Sequence, residues 1–403
     1  MKTVLLPTKG EWKTATLGEV CSDVFSGGTP KTSENGYYGG DIPWLRTQEV
    51  NFNYIEDTEL KITEEGFKNS SAQWTPANTV IIAMYGNSAG RSAFSRIPLT
   101  TNQACCNLIV NKEIANPLFV YFAVKNQYKS LESLANGGAQ QNLNASIVKN
   151  FVIPLPPLSE QEGIVKILSS LDDKIELLRQ QNETLEQIAR TAFEEKFLKG
   201  VDIGNLSVGW KMGTINDLIC IFSGFAFKSA EFDAVGQYKL ATIKNVQDGY
   251  FVKQTTDHLA MLPSRMPQYC LLQTGDILLS LTGNVGRVCY VVGDNYLLNQ
   301  RVAMLKPRNK IDLAYTYMFF RQSSMLETLG RISSGTAQQN LSPIKTGELI
   351  TVVPARDTLD AFAEMANPLL EKMQKNSLQV EMLASVRDAI LPKLMGGEVR
   401  VQE

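Results

Sequence analysis

Five short patterns occur twice in this chain, in the same order and at nearly the same separation. Trp12-Lys13 returns as Trp210-Lys211, and Phe25-Ser26-Gly27 as Phe222-Ser223-Gly224. The run TVIIAMYGNSAGR at 79–91 returns as DILLSLTGNVGR at 276–287. Asn102-Gln103 returns as Asn299-Gln300, and Ala139-Gln140-Gln141-Asn142-Leu143 returns unchanged as Ala337-Gln338-Gln339-Asn340-Leu341. Every offset lies between 196 and 198, so the chain is one plan written twice.

What separates the copies is a helix. Residues 159–198 contain no proline, and their one glycine is Gly163, in the first turn. Pro154, Pro156 and Pro157 precede the segment, and Gly200 and Gly204 follow it. Ser159 with Glu162 has the spacing of a capping box, which places the N-cap at Ser159. Ile164, Leu168, Leu171, Ile175, Leu178, Asn182 and Leu185 step by four and three, the seam of a paired helix with one polar break. The same steps return in Phe362, Leu369, Met373, Asn376, Val380, Leu383, Ile390 and Leu394. Pro368 and Pro392 allow a bend or a turn in this second helix, whose start is expected near 358–360. Two apolar stripes of similar length bury each other best as an antiparallel pair. The expected fold is α/β: two similar mixed α/β domains, separated by two long antiparallel helices in a coiled-coil-like spacer with pseudo-two-fold symmetry. The expected divisions are 1–157 and 200–356 for the globular heads. Residues 158–199 form the central helix, and 357–403 the C-terminal helix and tail.

Within the first head, residues 79–84 and 104–110 read as buried strands, 42–50 as a strand, 59–67 as a short helix, and 117–129 as a helix with aromatic fill. Residues 17–25 fit either a short helix or a strand. Short strands with intervening helices give a mixed α/β head.

Composition narrows the function. Six cysteines form no zinc spacing, and free thiols in a cytoplasmic protein account for them. The single histidine, His258, leaves a His-dependent triad or zinc cluster weak from the start. No run of 18 apolar residues and no secretory leader pattern is present, so no membrane association is expected. Net charge is −2, with the two helical tracts each at −3 and residues 200–356 at +4. That is compatible with DNA at the heads and with no DNA at all.

Two similar heads at a fixed separation suit a double helix, because half-site spacing is set by protein geometry. Since the heads differ between their shared landmarks, the target is expected to be asymmetric. The turns at 86–91 and 283–287 are too short for a nucleotide phosphate loop and lack its Lys-Ser/Thr. Arg91 and Arg287 there either brace the turn or reach DNA phosphate or a guanine edge. Arg46 beside Trp44, together with Lys244 and Arg265, are further candidate DNA contacts, against the plain alternative of solvated surface charge. Gln140, Gln141, Asn142, Gln338, Gln339 and Asn340 carry amides able to read adenine. Their identity in heads that should read different sequences points instead to a fixed loop or a shared partner surface. No clustered carboxylates with a lysine recur between heads, and no cofactor loop or acidic-Pro-Pro-aromatic motif of a base methyltransferase is present. No catalytic, metal-binding or cofactor-binding residue is therefore assigned.

Four features carry a family resemblance. They are the entrance Pro154-Leu155-Pro156-Pro157-Leu158-Ser159-Glu160-Gln161, the tail Leu391-Pro392-Lys393-Leu394-Met395-Gly396-Gly397-Glu398-Val399, the paired glycine–arginine turns and the paired AQQNL loops. Over essentially its whole length the chain resembles the specificity subunit of a Type I restriction–modification enzyme. The second entrance, Val353-Pro354-Ala355-Arg356-Asp357, departs from the full pattern. The resemblance implies two target recognition domains on double-stranded DNA, each reading half of a bipartite site, with helices that set the spacer. It also implies docking of two methyltransferase subunits and, through them, restriction/translocase subunits. S-adenosylmethionine for adenine methylation, ATP and Mg2+ would belong to those partners, and this chain would not be an enzyme. The competing reading is a coiled-coil adaptor whose heads bind proteins and have no DNA specificity.

Overall fold

A computed structural model of the chain describes residues 4–6, 12–135, 142–333 and 340–402. Two helices of 40 residues dominate it, Leu158–Phe197 and Arg356–Met395. At 1.5 Å per residue each is about 60 Å long. The first begins two residues earlier than its capping pattern predicts. Pro157 O accepts from the backbone N of Glu160 and of Gln161, both at 3.0 Å, so Ser159 lies inside the first turn and is not the N-cap. The second helix starts at Arg356, earlier than expected, and runs through Pro368 and Pro392 without a break. Both prolines are exposed, where a carbonyl that loses its helical donor is open to water. Gly200 and Gly397, at φ +74° and +69°, follow the two helix ends in the left-handed conformation that glycine adopts cheaply.

The chain divides into two compact units, residues 1–173 with 383–403 and residues 174–382. Each long helix contributes one part to each unit.

In the first unit one sheet has the order Cys21–Ser26, Cys105–Val110, Val80–Ala83, Ser92–Ser95, Tyr54–Ile55. A second sheet has the order Leu60–Ile62, Tyr38–Leu45, Leu99–Thr101, Trp74–Thr75, with its central pair parallel. The second unit repeats both orders, the first of them without the edge strand that Tyr54–Ile55 supplies. Its first sheet runs Ile219–Ser223, Val302–Pro307, Ile277–Ser280, Val288–Tyr290. The other runs His258–Leu259, Tyr238–Ala241, Tyr296–Leu298, Leu271–Leu272, again with a parallel central pair. Antiparallel ribbons, Lys13–Thr16 with Val152–Leu155 and Lys211–Thr214 with Ile350–Val353, lead into the long helices. The short apolar runs Val80–Ala83 and Ile277–Ser280 are buried throughout, as a central strand covered on both faces requires. Residues 17–25 hold both expected forms, a helical turn Leu17–Val20 running into a strand. The strand expected over 42–50 stops at Leu45 and gives way to a tight 3-10 turn, Thr47–Glu49. Residues 59–67 begin as the strand Leu60–Ile62 and become helical only at Glu64, where Thr63 caps Gly66 N at 3.1 Å.

Each head buries its helix ends in its own core. In the first unit Ile164, Leu168, Leu391 and Leu394 pack with Phe119, Tyr121 and Phe122. In the second, Phe193, Phe197, Phe362 and Ala366 pack with Tyr315 and Met318. Leu370, at 2% exposure, is the deeper residue at the turn where Leu369 is expected. Ile175 and Leu178 are buried, whereas Leu171, Leu185, Val380, Leu383 and Ile390 are half-buried. The two polar breaks of the seam meet. Asn376 Nδ2 donates to Asn182 Oδ1 at 2.9 Å, and Asn182 Nδ2 donates to Met373 O and Ser377 Oγ. With Asn376 fully buried and Asn182 half-buried, this amide pair penalises any slip that would face either residue with a leucine.

Helical turns with equivalent capping boxes open the two heads. Glu19 accepts from Thr16 N and Oγ1, and Asp217 accepts from Thr214 N and Oγ1. The backbone hydrogen bond comes first and the hydroxyl second in holding each carboxyl below its ordinary pKa. The stability this adds is present above the unfolded-state pKa and is lost as pH falls through the lowered folded value. Carboxyl NMR titration is expected to show both midpoints depressed, and Glu19→Gln with Asp217→Asn to make acid unfolding less steep there. Ordinary midpoints would remove this account.

Candidate nucleic-acid interface

The repeated glycine turns are backbone constructions. Gly86 and Gly90 have φ of +68° and +82°, and Gly283 and Gly286 have +71° and +86°. Glycine reaches these angles without the strain of a Cβ. Gly90 N donates to Ala83 O at 2.8 Å, and Gly286 N to Ser280 O at 3.0 Å, closing each turn onto its strand.

The second repeated motif docks against the first. Asn142 forms an antiparallel bridge with Tyr85, and Leu143 N donates to Met84 O at 2.8 Å. In the second unit Asn340 bridges Thr282, and Leu341 N donates to Leu281 O at 2.8 Å. The two repeated motifs of each head are thus one structural unit. Gln140, Gln141, Gln338 and Gln339 lie outside the described residues.

Arg91 and Arg287, the ends of the turns, are half-buried. Arg91 Nη1 donates to Asn51 Oδ1 at 3.0 Å, and Arg287 Nη1 donates to Gln247 Oε1. These amides escape sequence matching because one is asparagine and the other glutamine. Their common offset of 196 is the signal that finds them. Trp44 is buried at 5% exposure among Ile42, Ile62 and Ala72, with Nε1 donating to Gly28 O at 2.9 Å. Arg46 is half-buried and pairs with Glu59 at 2.6 Å and Glu49 at 3.6 Å. Lys244 and Arg265 are exposed on the second head, near exposed Tyr250 and Tyr269 in sequence.

Charged networks tie each head to helix residues of its own unit. In the first, Asp172 accepts from Arg387 Nη1 at 2.7 Å and from Tyr54 OH at 3.1 Å. Burial and then Asp172 push the Tyr54 phenol up. Burial opposes the charge on Arg387, yet Asp172 holds its pKa above the ordinary value. Glu160 accepts from Trp12 Nε1 at 3.2 Å and Arg400 Nη2 at 2.7 Å. Gln161, fully buried, accepts from Asn116 N and donates to Pro156 O, both at 2.8 Å. The Glu-Gln of the helix entrance therefore locks ribbon, helix and head. In the second unit Arg321 joins Glu186 on the helix to Asp248 on the head.

Among the described residues no group of acidic, histidine and cysteine side chains is arranged to hold a metal ion, and no helix is long and apolar enough to cross a membrane. All six cysteines are free, and burial pushes the Cys21 and Cys106 thiols up to about 12.

Comparison with known proteins follows the same duplicated outline. The chain is 26% identical to the Type I restriction enzyme MjaIX specificity subunit of Methanocaldococcus jannaschii, over 98% of this chain and 94% of the relative. It is 22% identical to the EcoKI specificity subunit of Escherichia coli, over 90% of this chain and 83% of the relative. In fold it is similar to the crystal structure of a Type I restriction-modification S subunit from M. genitalium. The TM-score is 0.59 at 19% identity, with 96% of each chain covered. A model of the Type I restriction modification DNA specificity domain matches residues 9–187 and again residues 207–345, one match for each copy of the plan. With most of its length covered by these two matches, the chain belongs to the Type I restriction–modification DNA specificity family.

Proposed function

We propose that this chain is the non-catalytic specificity subunit of a Type I restriction–modification enzyme, with each head reading one half of an asymmetric bipartite DNA site. The observation that carries this is the duplicated head, with one strand order used twice and unlike surface loops on it. In this reading 1–157 and 200–356 are the target recognition domains, and 158–199 and 357–403 set the spacer. Arg46, Lys244 and Arg265 are the candidate DNA contacts on the head surfaces. The helices also dock two methyltransferase subunits. Exposed Leu177, Ile188, Leu378 and Met382 supply apolar surface suited to such partners. Restriction/translocase subunits join through the methyltransferases. S-adenosylmethionine, ATP and Mg2+ serve adenine methylation and ATP-dependent cleavage on those subunits.

The test is methylome sequencing of cells expressing this chain with its methyltransferase partner. One two-part asymmetric motif is expected. Removing four residues, about one helical turn, from the first long helix is expected to change the tolerated spacer and leave both half-sites unchanged. A folded complex with unaltered spacing would rule out the ruler. Absence of any sequence-selective methylation would favour the adaptor reading.

A further inference from the structure

Matching glycine–arginine turns in heads that read different half-sites call for a shared task other than reading. Shifting the first head by 196 residues brings Arg91 onto Arg287 and Asn51 onto Gln247. In both heads the guanidinium donates to the amide oxygen of a loop. The loops match beyond that contact. Glu49 accepts from Arg46 N at 3.1 Å and returns its own N–H to Arg46 O at 3.0 Å. Asn245 accepts from Thr242 N at 2.8 Å and returns its N–H to Thr242 O at 2.9 Å. Val50 and Val246 are both fully buried between the turn and the amide.

A second anchor follows the first. Phe52 N donates to Ser92 O at 2.7 Å, and Gly249 N donates to Val288 O at 2.9 Å. Both residues have positive φ, +56° and +82°. Phe52 tolerates an angle that L side chains rarely adopt, so the surrounding contacts over-determine it. Inside the turns closed by Arg46 with Glu49 and Thr242 with Asn245 the heads diverge, with Thr47-Gln48 in one and Ile243-Lys244 in the other. Gln48 and Lys244 occupy the same loop position and are both exposed. A constant frame thus holds a variable tip.

We propose that Arg91 and Arg287 are positioning residues for half-site reading. Each fixes a loop, 46–51 or 242–247, whose tip residue, Gln48 or Lys244, meets the DNA. The inference rests on the specificity-subunit reading and deepens it. Ordering the loop before binding removes an entropy cost from recognition and narrows the set of bases the tip can satisfy. The planar guanidinium holds an amide oxygen in a defined direction, which a lysine ammonium does not.

The experiment uses the complex with its methyltransferase partner. Methylation rates are compared on the cognate duplex and on duplexes carrying one base change in either half-site, with binding followed against salt. Arg287→Ala is expected to lower discrimination at least tenfold in one half-site and to leave the other half and the salt slope unchanged. Gln247→Ala should match it, and the double variant should be no worse than either single. Gln247→Glu keeps an oxygen acceptor and should restore discrimination. Arg287→Lys, which keeps the charge without the fork, provides a milder variant if the alanine form melts early. A uniform loss on all duplexes, with a salt slope reduced by about one, would mean a direct phosphate contact and overturn the proposal. Unchanged discrimination, or equal loss in both halves, would overturn it too. Failure of the wild-type complex to methylate any two-part site would instead sink the specificity-subunit reading itself.

Discussion

Gly224→Ala is expected to lower the unfolding free energy of the second unit by more than about 3 kcal/mol. A Cβ at Gly224 would overlap the carbonyl of Asn299 and stand 2.7 Å from Leu298 O, all of it backbone. The strand cannot move aside cheaply. Gly224 N donates to Val302 O at 3.1 Å, and Phe225 N to Leu298 O at 2.9 Å, pinning it on both sides of the would-be clash. Gly27 stands in a similar relation to Thr101 and Asn102, which explains why the glycine of Phe-Ser-Gly recurs in both heads. Gly330 provides the contrast. It lies in the helix Ser323–Ile332 with open space where a Cβ would go. Gly330→Ala should stabilise the unit by up to about 1 kcal/mol through helix propensity. Urea unfolding of the two variants reads the difference. Wild-type stability in Gly224→Ala would refute the packing account.

Arg321→Ala is expected to cost about 2 kcal/mol, because Glu186, largely shielded from water, then keeps only its helical pair with Arg190 at 3.0 Å. The Arg321 side chain is 8% exposed and that of Glu186 is 15% exposed. Arg321 Nε donates to Glu186 Oε1 at 2.9 Å, and its other nitrogens reach Glu186 and Asp248. Burial opposes the charge, but Tyr317, Glu186 and Asp248 together raise the Arg321 pKa. Asp248 is largely exposed, so Asp248→Asn should cost under about 1 kcal/mol. Replacing both partners, Arg321→Met with Glu186→Leu, should recover much of the loss, since an apolar pair incurs no desolvation cost. Denaturant midpoints of the single and double variants decide this. A double variant no better than Arg321→Ala would show that the network does more than neutralise a buried charge.

Much of this fold was legible because duplication leaves matched text. The paired glycines, the buried strands and the two helices all follow from offsets and periodicity. Asn182 and Asn376 were each visible as a polar break, but their bond to one another depends on helix register, which no single stripe states. Trp44 shows the opposite limit. A tryptophan beside an arginine reads equally well as surface or as core. What decides is the carbonyl of Gly28, sixteen residues earlier, which only the tertiary fold brings to its indole. Glu160 and Gln161 were legible only as letters of a family pattern at the helix entrance. Their burial follows from Trp12, Asn116 and Arg400, all remote in sequence. The arginine–amide contacts were hidden because chemistry was kept while the letters changed.

The division of the chain into units has a consequence for synthesis. The second unit is one continuous stretch, 174–382, and has all its parts once that stretch has emerged. The first unit begins with the earliest residues but lacks Arg387, Leu391, Leu394 and Arg400 until the final segment appears. Its strand Val4–Leu6 pairs with Arg400–Gln402, which is nearly the whole chain away. The head begun first is therefore the head finished last. Its apolar surface around Phe119 and Ile164 must wait through most of translation, and there the nascent chain has most need of protection from aggregation.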